Sequence, residues 1–205
     1  MFAVISEIHS NLEALQAIFD DLAQRGVEEV VCLGDIVGYG PNPRECIDLI
    51  RPRCRTAIVG NHDHAVLYEP ANFNTPAERA SYWTRHILDT EPDPALRAAR
   101  WRFLGQLPVR HQEGDVLFVH ASPRRPMNEY IFPEDVFTNP QKVLAGLERL
   151  DARICFVGHT HQPGVFLDDP YFDPPTELPD YPMYEIEEER TIINAMISET
   201  SRHGM

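Results

Sequence analysis

The stretch Leu33-Gly34-Asp35-Ile36-Val37-Gly38-Tyr39-Gly40-Pro41 continues the apolar residues Val30 to Cys32. An apolar run that stops at a glycine and then presents a carboxylate is typical of a buried strand that ends at a functional site. Gly34 has no Cβ, so the backbone and a metal ion can approach each other closely there. The two carboxylate oxygens of Asp35 could bridge a pair of cations. Asp35 is therefore a candidate bridging ligand, whereas an isolated Gly-Asp pair would more simply cap a turn.

Four other apolar runs along the chain also end in polar residues. Polar clusters follow the runs that begin at Phe2, Thr56, Val116 and Ile154, and they contain Glu7, His9, Asn61, His62, His120, His159 and His161. Side chains alternate along an extended chain, so residues two apart, such as His159 and His161, point the same way. Ligands of open α/β sheets bind at the carboxyl ends of the strands, so we expect these side chains to converge with Asp35.

The first two apolar runs are each followed by a helical pattern, which predicts strand-loop-helix units. Ser10 and Glu13 predict a capping box at the start of the first helix, and Gly26 predicts its end. Asn42-Pro43 predicts the start of the second helix. The loop Gly38-Tyr39-Gly40 is not followed by a Gly-Lys-Ser/Thr sequence or a third glycine, so it is not interpreted as a nucleotide-binding loop.

Helical patterns also fill the middle of the chain, between Glu69 and Pro108, with predicted starts at Thr75-Pro76 and Asp93-Pro94. A later helix is expected to begin at Asn139-Pro140. The proline-rich segment 168–182 is interpreted as a surface loop, and two closing strands are predicted at 184–186 and 191–193.

Composition and charge exclude several classes of protein. The 205 residues are expected to form one domain over 1–205, and no apolar run has membrane-spanning length. The start of the chain lacks the features of a signal peptide, which predicts a cytoplasmic location, and the four cysteines contain no CxxC pair and are expected to be reduced. A formal charge of −14 argues against an extended nucleic-acid surface but not against a small phosphorylated substrate held by metal. The sequence does not specify an oligomeric state.

The order of the polar clusters resembles a family signature. Gly34-Asp35, Gly60-Asn61-His62-Asp63, the strand-final His120 and Gly158-His159-Thr160-His161 resemble the calcineurin-like metallophosphoesterase superfamily, whose pattern runs DxH, GD, GNH[DE], H and GHxH. The resemblance extends from Phe2 to about Val165, and the sequence YGPNP at 39–43 is similar to the small bacterial and archaeal phosphodiesterase branch. It implies an α/β fold, a four-layer α-β-β-α sandwich in which two mixed sheets are flanked by helices.

The resemblance also implies a dimetal site. One divalent ion would be held by Glu7, His9, Asp35 and His161, and the other by Asp35, Asn61, His120 and His159. His62 would lie near the leaving group, with Asp63 orienting its ring. Manganese is the expected metal, with iron, nickel, cobalt or zinc as alternatives. Two such ions can activate a water for in-line attack on phosphorus while His62 protonates the departing oxygen, which predicts a phosphoesterase and most of all a phosphodiesterase.

Two departures from the family pattern are visible. Position 7 is Glu where the family has Asp, and its extra methylene predicts a weaker first metal site that Glu7→Asp would tighten. The family continues after its late strand with a segment resembling NxGSVGQPR, whereas this chain has different residues from Asn194 to Thr200, which favours truncated C-terminal strands. Both departures support an alternative function, a protein-interaction scaffold on the same fold, as in the retromer-coat relative of the superfamily.

Overall fold

The computed structural model describes residues 1–167, 171–173 and 190–195 of the chain. Its first sheet contains three parallel strands in chain order, β1 (Phe2–Ile5), β2 (Glu29–Cys32) and β3 (Thr56–Ala57). The helices of this half are α1 (Leu12–Gln24), α2 (Pro43–Arg53), α3 (Asn61–Leu67), α4 (Thr75–Asp89) and α5 (Pro94–Gln106).

The second half of the chain forms a mixed sheet. Its strands are β4 (Arg110–Glu113), β5 (Val116–Val119), β6 (Ile154–Val157), β7 (Gly164–Leu167), β8 (Tyr171–Asp173) and β9 (Thr191–Asn194). Their spatial order is β4-β5-β6-β9-β7-β8, with β5, β6 and β9 parallel and the remaining pairs antiparallel. Two helices accompany this sheet, α6 (Asp135–Thr138) and α7 (Pro140–Glu148).

The two sheets pack face to face because each central strand is apolar on both sides. In β2, Val30 and Cys32 pack in the cluster that contains α1 and α2, whereas Val31 packs with Phe118 of β5 between the sheets. The next residue of β5, Val119, packs instead with the apolar side of α7. The layers are therefore helices, sheet, sheet and helices, which confirms the predicted four-layer sandwich.

Three phenylalanines form the middle of the interface between the sheets. The ring centroids of Phe2 and Phe118 are 5.9 Å apart, those of Phe2 and Phe156 6.0 Å, and those of Phe118 and Phe156 5.5 Å. These contacts fix the two sheets so that the ends of β1, β2 and β3 lie beside the ends of β5 and β6. The site described below is built at that junction.

Some predictions of local structure need correction. The second sheet is mixed as predicted, whereas the described strands of the first sheet are all parallel. The cap of α1 is Asn11, which accepts from the N–H of Ala14, because Ser10 is held in a left-handed conformation in the loop before it. Likewise Asn74, one residue before the predicted position, caps α4. The predicted strand at 191–193 is confirmed as β9. The predicted loop at 168–182 is wrong at 171–173, which form β8 because they pair with β7. The rest of that loop, 168–170 and 174–182, lies outside the described residues, as do the predicted strand at 184–186 and the tail at 196–205.

Other predictions of local structure are confirmed. Gly26 follows the last turn of α1 with a φ of +68°, and Asp93 caps α5 by accepting from two backbone N–H groups. All four cysteines are free thiols, and three of them are buried. None of the helices in the described ranges combines the length and the apolar character needed to cross a membrane.

Candidate metal centre

The ends of four strands converge on one group of polar side chains. The ligand atoms of Glu7, His9 and His161 lie within 4.8 Å of one another, and we call these residues the first cluster. The ligand atoms of Asp35, His120 and His159 lie equally close together and form the second cluster. The structure thus brings together side chains that follow β1, β2, β5 and β6, as the sequence predicted.

The backbone at this junction is unusual. Five of the six cluster residues have a left-handed φ, namely Glu7 at 59°, His9 at 47°, Asp35 at 50°, His159 at 69° and His161 at 57°. A residue with a Cβ pays a conformational cost in this region, and such residues concentrate at functional sites. The loops after β1 and β2 support each other, since the N–H of His9 donates to the carbonyl of Asp35 at 2.8 Å.

Glu7 is held through one of its two carboxylate oxygens. Its Oε1 accepts from the hydroxyl of Ser6 at 2.8 Å and from the backbone N–H of His159 at 2.7 Å. Its Oε2 is directed at the first cluster, 2.9 Å from Nε2 of His161 and 3.2 Å from Nε2 of His9. Gly158 is required beside it, because a Cβ there would lie 2.1 Å from the Ser6 hydroxyl oxygen and 2.7 Å from Oε1.

Asp35 lies between the two clusters. Its Oδ1 accepts from the backbone N–H of His62 at 2.9 Å. Its Oδ2 is 3.7 Å from Nε2 of His9 and 3.5 Å from Nε2 of His120, so it faces one imidazole of each cluster. This is the position that a carboxylate shared by two cations would need.

His120 directs its Nε2 at the second cluster. Its Nδ1 lies 2.9 Å from the carbonyl oxygen of Leu33 and must donate to it, so in the neutral tautomer of the ring the lone pair is on Nε2. That Nε2 lies 2.9 Å from Oδ1 of Asn61, an amide oxygen that could bind the same cation. A backbone carbonyl that fixes the tautomer of an imidazole is a common support for a metal-binding histidine.

The polar atoms at this site fit a cation better than they fit one another. Nδ1 of His62 and Nε2 of His159 are buried without a hydrogen-bond partner among the described residues. Burial and the nearby Glu7 charge raise the pKa of Asp35 well above its usual value. Burial also opposes ionisation of Glu7, but His120, His161 and His9 outweigh it and lower the Glu7 pKa. Two buried carboxylates surrounded by lone pairs match divalent metal ions with oxygen and imidazole ligands.

His62 and Asp63 occupy the first turn of α3. The His62 ring lies 4.8 Å from that of His9, and burial followed by the His9 charge lowers the pKa of His62 to about 3. Asp63 was expected to orient the His62 ring, but no hydrogen bond joins the two side chains, and Nδ1 of His62 has no partner among the described residues. The Asp63 carboxylate accepts from the N–H groups of Val37 and Gly60, both at 3.0 Å, because these two loops need partners for their buried backbone donors.

The side chains open into a cavity of about 400 Å³. Its lining includes Asp35, Asn61, His62, His159 and His161 together with the aromatic residues Tyr39, Tyr130 and Phe132. Tyr130 stacks on the ring of His159 with centroids 3.8 Å apart. The cavity therefore places ligand atoms and aromatic surface around one solvent-accessible space.

Sequence reasoning missed three residues of this site, namely Ser6, Tyr130 and Phe132. Ser6 is fully buried next to Glu7, and its position directly before a candidate ligand was the signal that could have identified it. Tyr130 and Phe132 lie in the segment after His120, where no motif marks them. Only the path of that segment across the ends of the strands brings them to the cavity.

Comparison with known proteins agrees with the resemblance seen in the sequence. A profile of the family described as calcineurin-like phosphoesterase matches residues 1–163. An uncharacterised protein of Methanocaldococcus jannaschii is 41% identical over 175 residues, which are 80% of this chain and 64% of that protein. The chain thus spans less than two thirds of the length of this relative. A metallophosphoesterase from Sphaerobacter thermophilus, known from its crystal structure, aligns with a TM-score of 0.74 and 34% identity over 95% of this chain and 75% of its own.

Proposed function

Because the chain belongs to the calcineurin-like phosphoesterase family, we propose that it is a dimetal phosphoesterase that acts most of all on phosphodiesters. The observation that carries this proposal is the position of Asp35 between two clusters of lone-pair donors. Its Oδ2 faces His9 on one side and His120 on the other. The sequence-based proposals of a single domain over 1–205 and a cytoplasmic location are kept.

Each cluster would hold one divalent ion. Glu7, His9, Asp35 and His161 would bind the first ion, and Asp35, Asn61, His120 and His159 the second, with manganese preferred over iron, nickel, cobalt or zinc. When bound, the two ions would supply the positive charge that holds a phosphate and would lower the pKa of the water that attacks phosphorus in line. The local positive charge would also offset the formal charge of −14 that otherwise repels an anionic substrate.

His62 would deliver a proton to the leaving group. With a pKa of about 3 its ring is neutral in the structure described, so it needs a nearby negative charge before it can donate. A bound phosphate brings that charge and raises the pKa of an adjacent imidazole. Asp63 would act at a distance from the substrate by holding the turn that starts α3 against the loop at Val37.

The scaffold alternative loses part of its support. It drew on the replacement of Asp by Glu at position 7, but Oε2 of Glu7 lies as close to His161 and His9 as a ligand requires. The longer side chain is accommodated by Ser6 and by the backbone of His159. Glu7 therefore does not argue against metal binding at the first cluster.

The proposal is tested by loading the protein with manganese and assaying a small aryl phosphodiester and the matching monoester. We expect two ions per chain by elemental analysis and hydrolysis of the diester that chelation abolishes and manganese restores. A protein that binds two ions but hydrolyses neither ester would favour the scaffold. A protein that binds none would overturn the metal site as well.

A His62→Ala variant separates the proton donor from the ligands. General acid catalysis is worth roughly 10²- to 10⁴-fold, so turnover should fall by that amount for esters with poor leaving groups and by much less for good ones. The His62→Ala variant should still bind two metal ions per chain. The ring of His62 also lies within reach of the ligand atoms of His9 and Asp35. Loss of one ion in the variant would therefore make His62 a ligand, and an equal loss of rate for all leaving groups would make it a positioning residue.

A further inference from the structure

A second cavity, of about 320 Å³, opens beside the one that contains the ligand clusters. Asn61, Tyr130 and His159 line both cavities and thus form the boundary between them. A phosphate held at the clusters would have one of its ester groups directed across this boundary. Ligand pockets in proteins start at about 300 Å³, so the second cavity fits one small organic group.

The walls of the second cavity come from two loops, each fixed from behind by an arginine. Arg85 of α4 donates to the carbonyl of Val66 at 2.9 Å and to that of Ala65 at 3.0 Å, which fixes the end of α3 before Phe73. On the other side Arg124 binds the buried carboxylate of Glu129, the residue before Tyr130. Both arginines are thereby engaged in the walls, so the cavity has a defined shape without a ligand.

The lining combines flat apolar surface with neutral hydrogen-bonding groups. Phe73 packs on the His62 ring with centroids 4.7 Å apart and also lines the cavity, as does Met127. The amides of Asn72 and Asn128 lie at the exposed edge and offer both donors and acceptors. Aromatic surface with amide groups at its edge suits a planar ring that has hydrogen-bonding edges.

The charge of the lining excludes a second anionic group. Among the described residues that line the cavity, none is lysine or arginine, and Glu69 contributes a carboxylate. The Glu69 side chain is 72% exposed, accepts a hydrogen bond from the hydroxyl of Tyr82 at 2.9 Å, and lies 3.9 Å from Nη1 of Arg85. Arg85 is already engaged with Glu69 and with the carbonyls of the wall, and the remaining basic groups of the lining are the imidazoles of His64 and His159. A phosphate or carboxylate in this cavity would therefore meet the Glu69 carboxylate and, among the described residues, no lysine or arginine that is free to bind it.

From these observations we infer that the second cavity binds the alcohol part of the substrate and selects an uncharged, planar, hydrogen-bonding ring, the chemical class to which nucleobases belong. The inference rests on the proposed function, since it assigns the phosphate to the neighbouring clusters. Phe73 supplies the stacking surface, and the asparagine amides read the ring edge. The substrate would therefore be a phosphodiester with at least one nucleoside-like alcohol and no further phosphate on that side.

The test compares adenosine 5′-monophosphate with methyl phosphate by calorimetric titration of the manganese-loaded protein. Both probes are phosphate monoesters, and they differ in the group that would enter the second cavity. Stacking of a base on an aromatic side chain is strong enough that adenosine monophosphate should bind roughly tenfold more tightly or better. Phe73→Leu, which keeps apolar bulk against His62, should remove most of that preference and leave methyl phosphate binding unchanged. Trp83→Leu is the matched control, because Trp83 is an exposed aromatic residue of α4 that lines neither cavity.

The charge of the probe tests the second half of the inference. Adenosine 3′,5′-bisphosphate should bind no more tightly than adenosine monophosphate to the unaltered protein. In Glu69→Lys the bisphosphate should bind more tightly than the monophosphate, because the lysine supplies a cation at the edge of the cavity. Glu69→Gln, the neutral control, should relieve the repulsion without creating a preference. Tighter binding of the bisphosphate to the unaltered protein would overturn the assignment of an uncharged group.

The failure of this inference differs from the failure of the proposed function. Hydrolysis of an aryl phosphodiester together with equal binding of adenosine monophosphate and methyl phosphate would refute the ring pocket alone. A preference for adenosine monophosphate that depends on Phe73, in a protein that hydrolyses no phosphoester, would support the pocket and refute the enzyme.

Discussion

The two ligand clusters differ in how deeply they are buried. Asp35, His120 and His159 of the second cluster are 1%, 0% and 5% exposed. In the first cluster Glu7 and His9 are also buried, but the side chain of His161 is 43% exposed. Water therefore has more access to the first cluster than to the second.

The clusters also differ in what anchors their ligands. In the second cluster, His120 is fixed by the carbonyl of Leu33 and Asp35 by the N–H of His62, so both anchors are backbone groups. Glu7 of the first cluster depends on the backbone of His159 and on the rotatable hydroxyl of Ser6. Rigidly supported ligands bind a metal more tightly, so we expect the second cluster to hold its ion more firmly than the first.

The largest effect is expected from Asp35→Asn, which would remove the charge that the two clusters share. Both ions should be lost or greatly weakened, since Asp35 faces His9 and His120 at once. The charge stabilisation lost is several kcal/mol, so turnover should fall by at least about 10²- to 10³-fold. Elemental analysis and turnover of the purified variant provide the measurement. Retention of the ion at the second cluster alone would mean that Asp35 belongs to the first cluster and does not bridge.

A smaller effect, confined to the first cluster, is expected from Glu7→Asp. The sequence favoured tighter binding in this variant, but the contacts of Oε1 with Ser6 and with the N–H of His159 reverse that expectation. A shorter side chain cannot keep both contacts and still reach His161. Loss of the groups that orient a ligand typically costs about 10- to 100-fold in metal affinity, and we expect the upper end of this range at the first cluster. Calorimetric titration with manganese provides the measurement, and tighter binding would show that the backbone at position 7 can relax.

The smallest effect is expected from Ser6→Ala, which would remove only the hydroxyl that holds Glu7. Loss of a group that orients a ligand typically costs about 10- to 100-fold in affinity, and we expect the lower end of this range at the first cluster. The second cluster should bind as before. Ser81→Ala is the matched control, because Ser81 is equally buried but donates to a helix carbonyl of α4.

Combining the two changes shows whether Ser6 acts through Glu7. If it does, Ser6→Ala should weaken the first site in the unaltered protein and have little further effect in Glu7→Asp, where the contact is already lost. Additive losses in the double variant would mean that Ser6 supports the loop after β1 in some other way.

Much of the site could be predicted from the sequence because each ligand follows a local pattern. Asp35 comes after an apolar run and a glycine, and His159 comes after another such pair, so strand, turn and ligand are read from neighbouring residues. The order of these patterns along the chain was enough to predict the family and the four-layer fold. Helix limits were also predicted closely where a proline marks the start, as at Pro43 and Pro94.

The predictions failed where a residue had two possible partners. Ser10 has the composition of a helix cap, but its N–H donates to the carbonyl of Ile36 and its backbone is left-handed, so Asn11 takes the cap. Asp63 lies next to His62 in sequence, but buried N–H groups from Val37 and Gly60 take both of its oxygens. In both cases a backbone group of a distant loop, at Ile36 or Val37, takes part in the contact, and no sequence pattern reports such a long-range contact.

The sequence by itself determined which residues can donate to a metal and at which strand ends they lie, because side-chain chemistry and strand periodicity are local. Only the tertiary structure decided how well each donor is held and what surrounds it. Gly158 lies against Ser6 and Glu7 because the two sheets pack together there, and Phe73 and Met127 line one cavity because two separate loops come together. These contacts join residues far apart in the chain, and they depend on the sheet-to-sheet packing that fixes the whole junction.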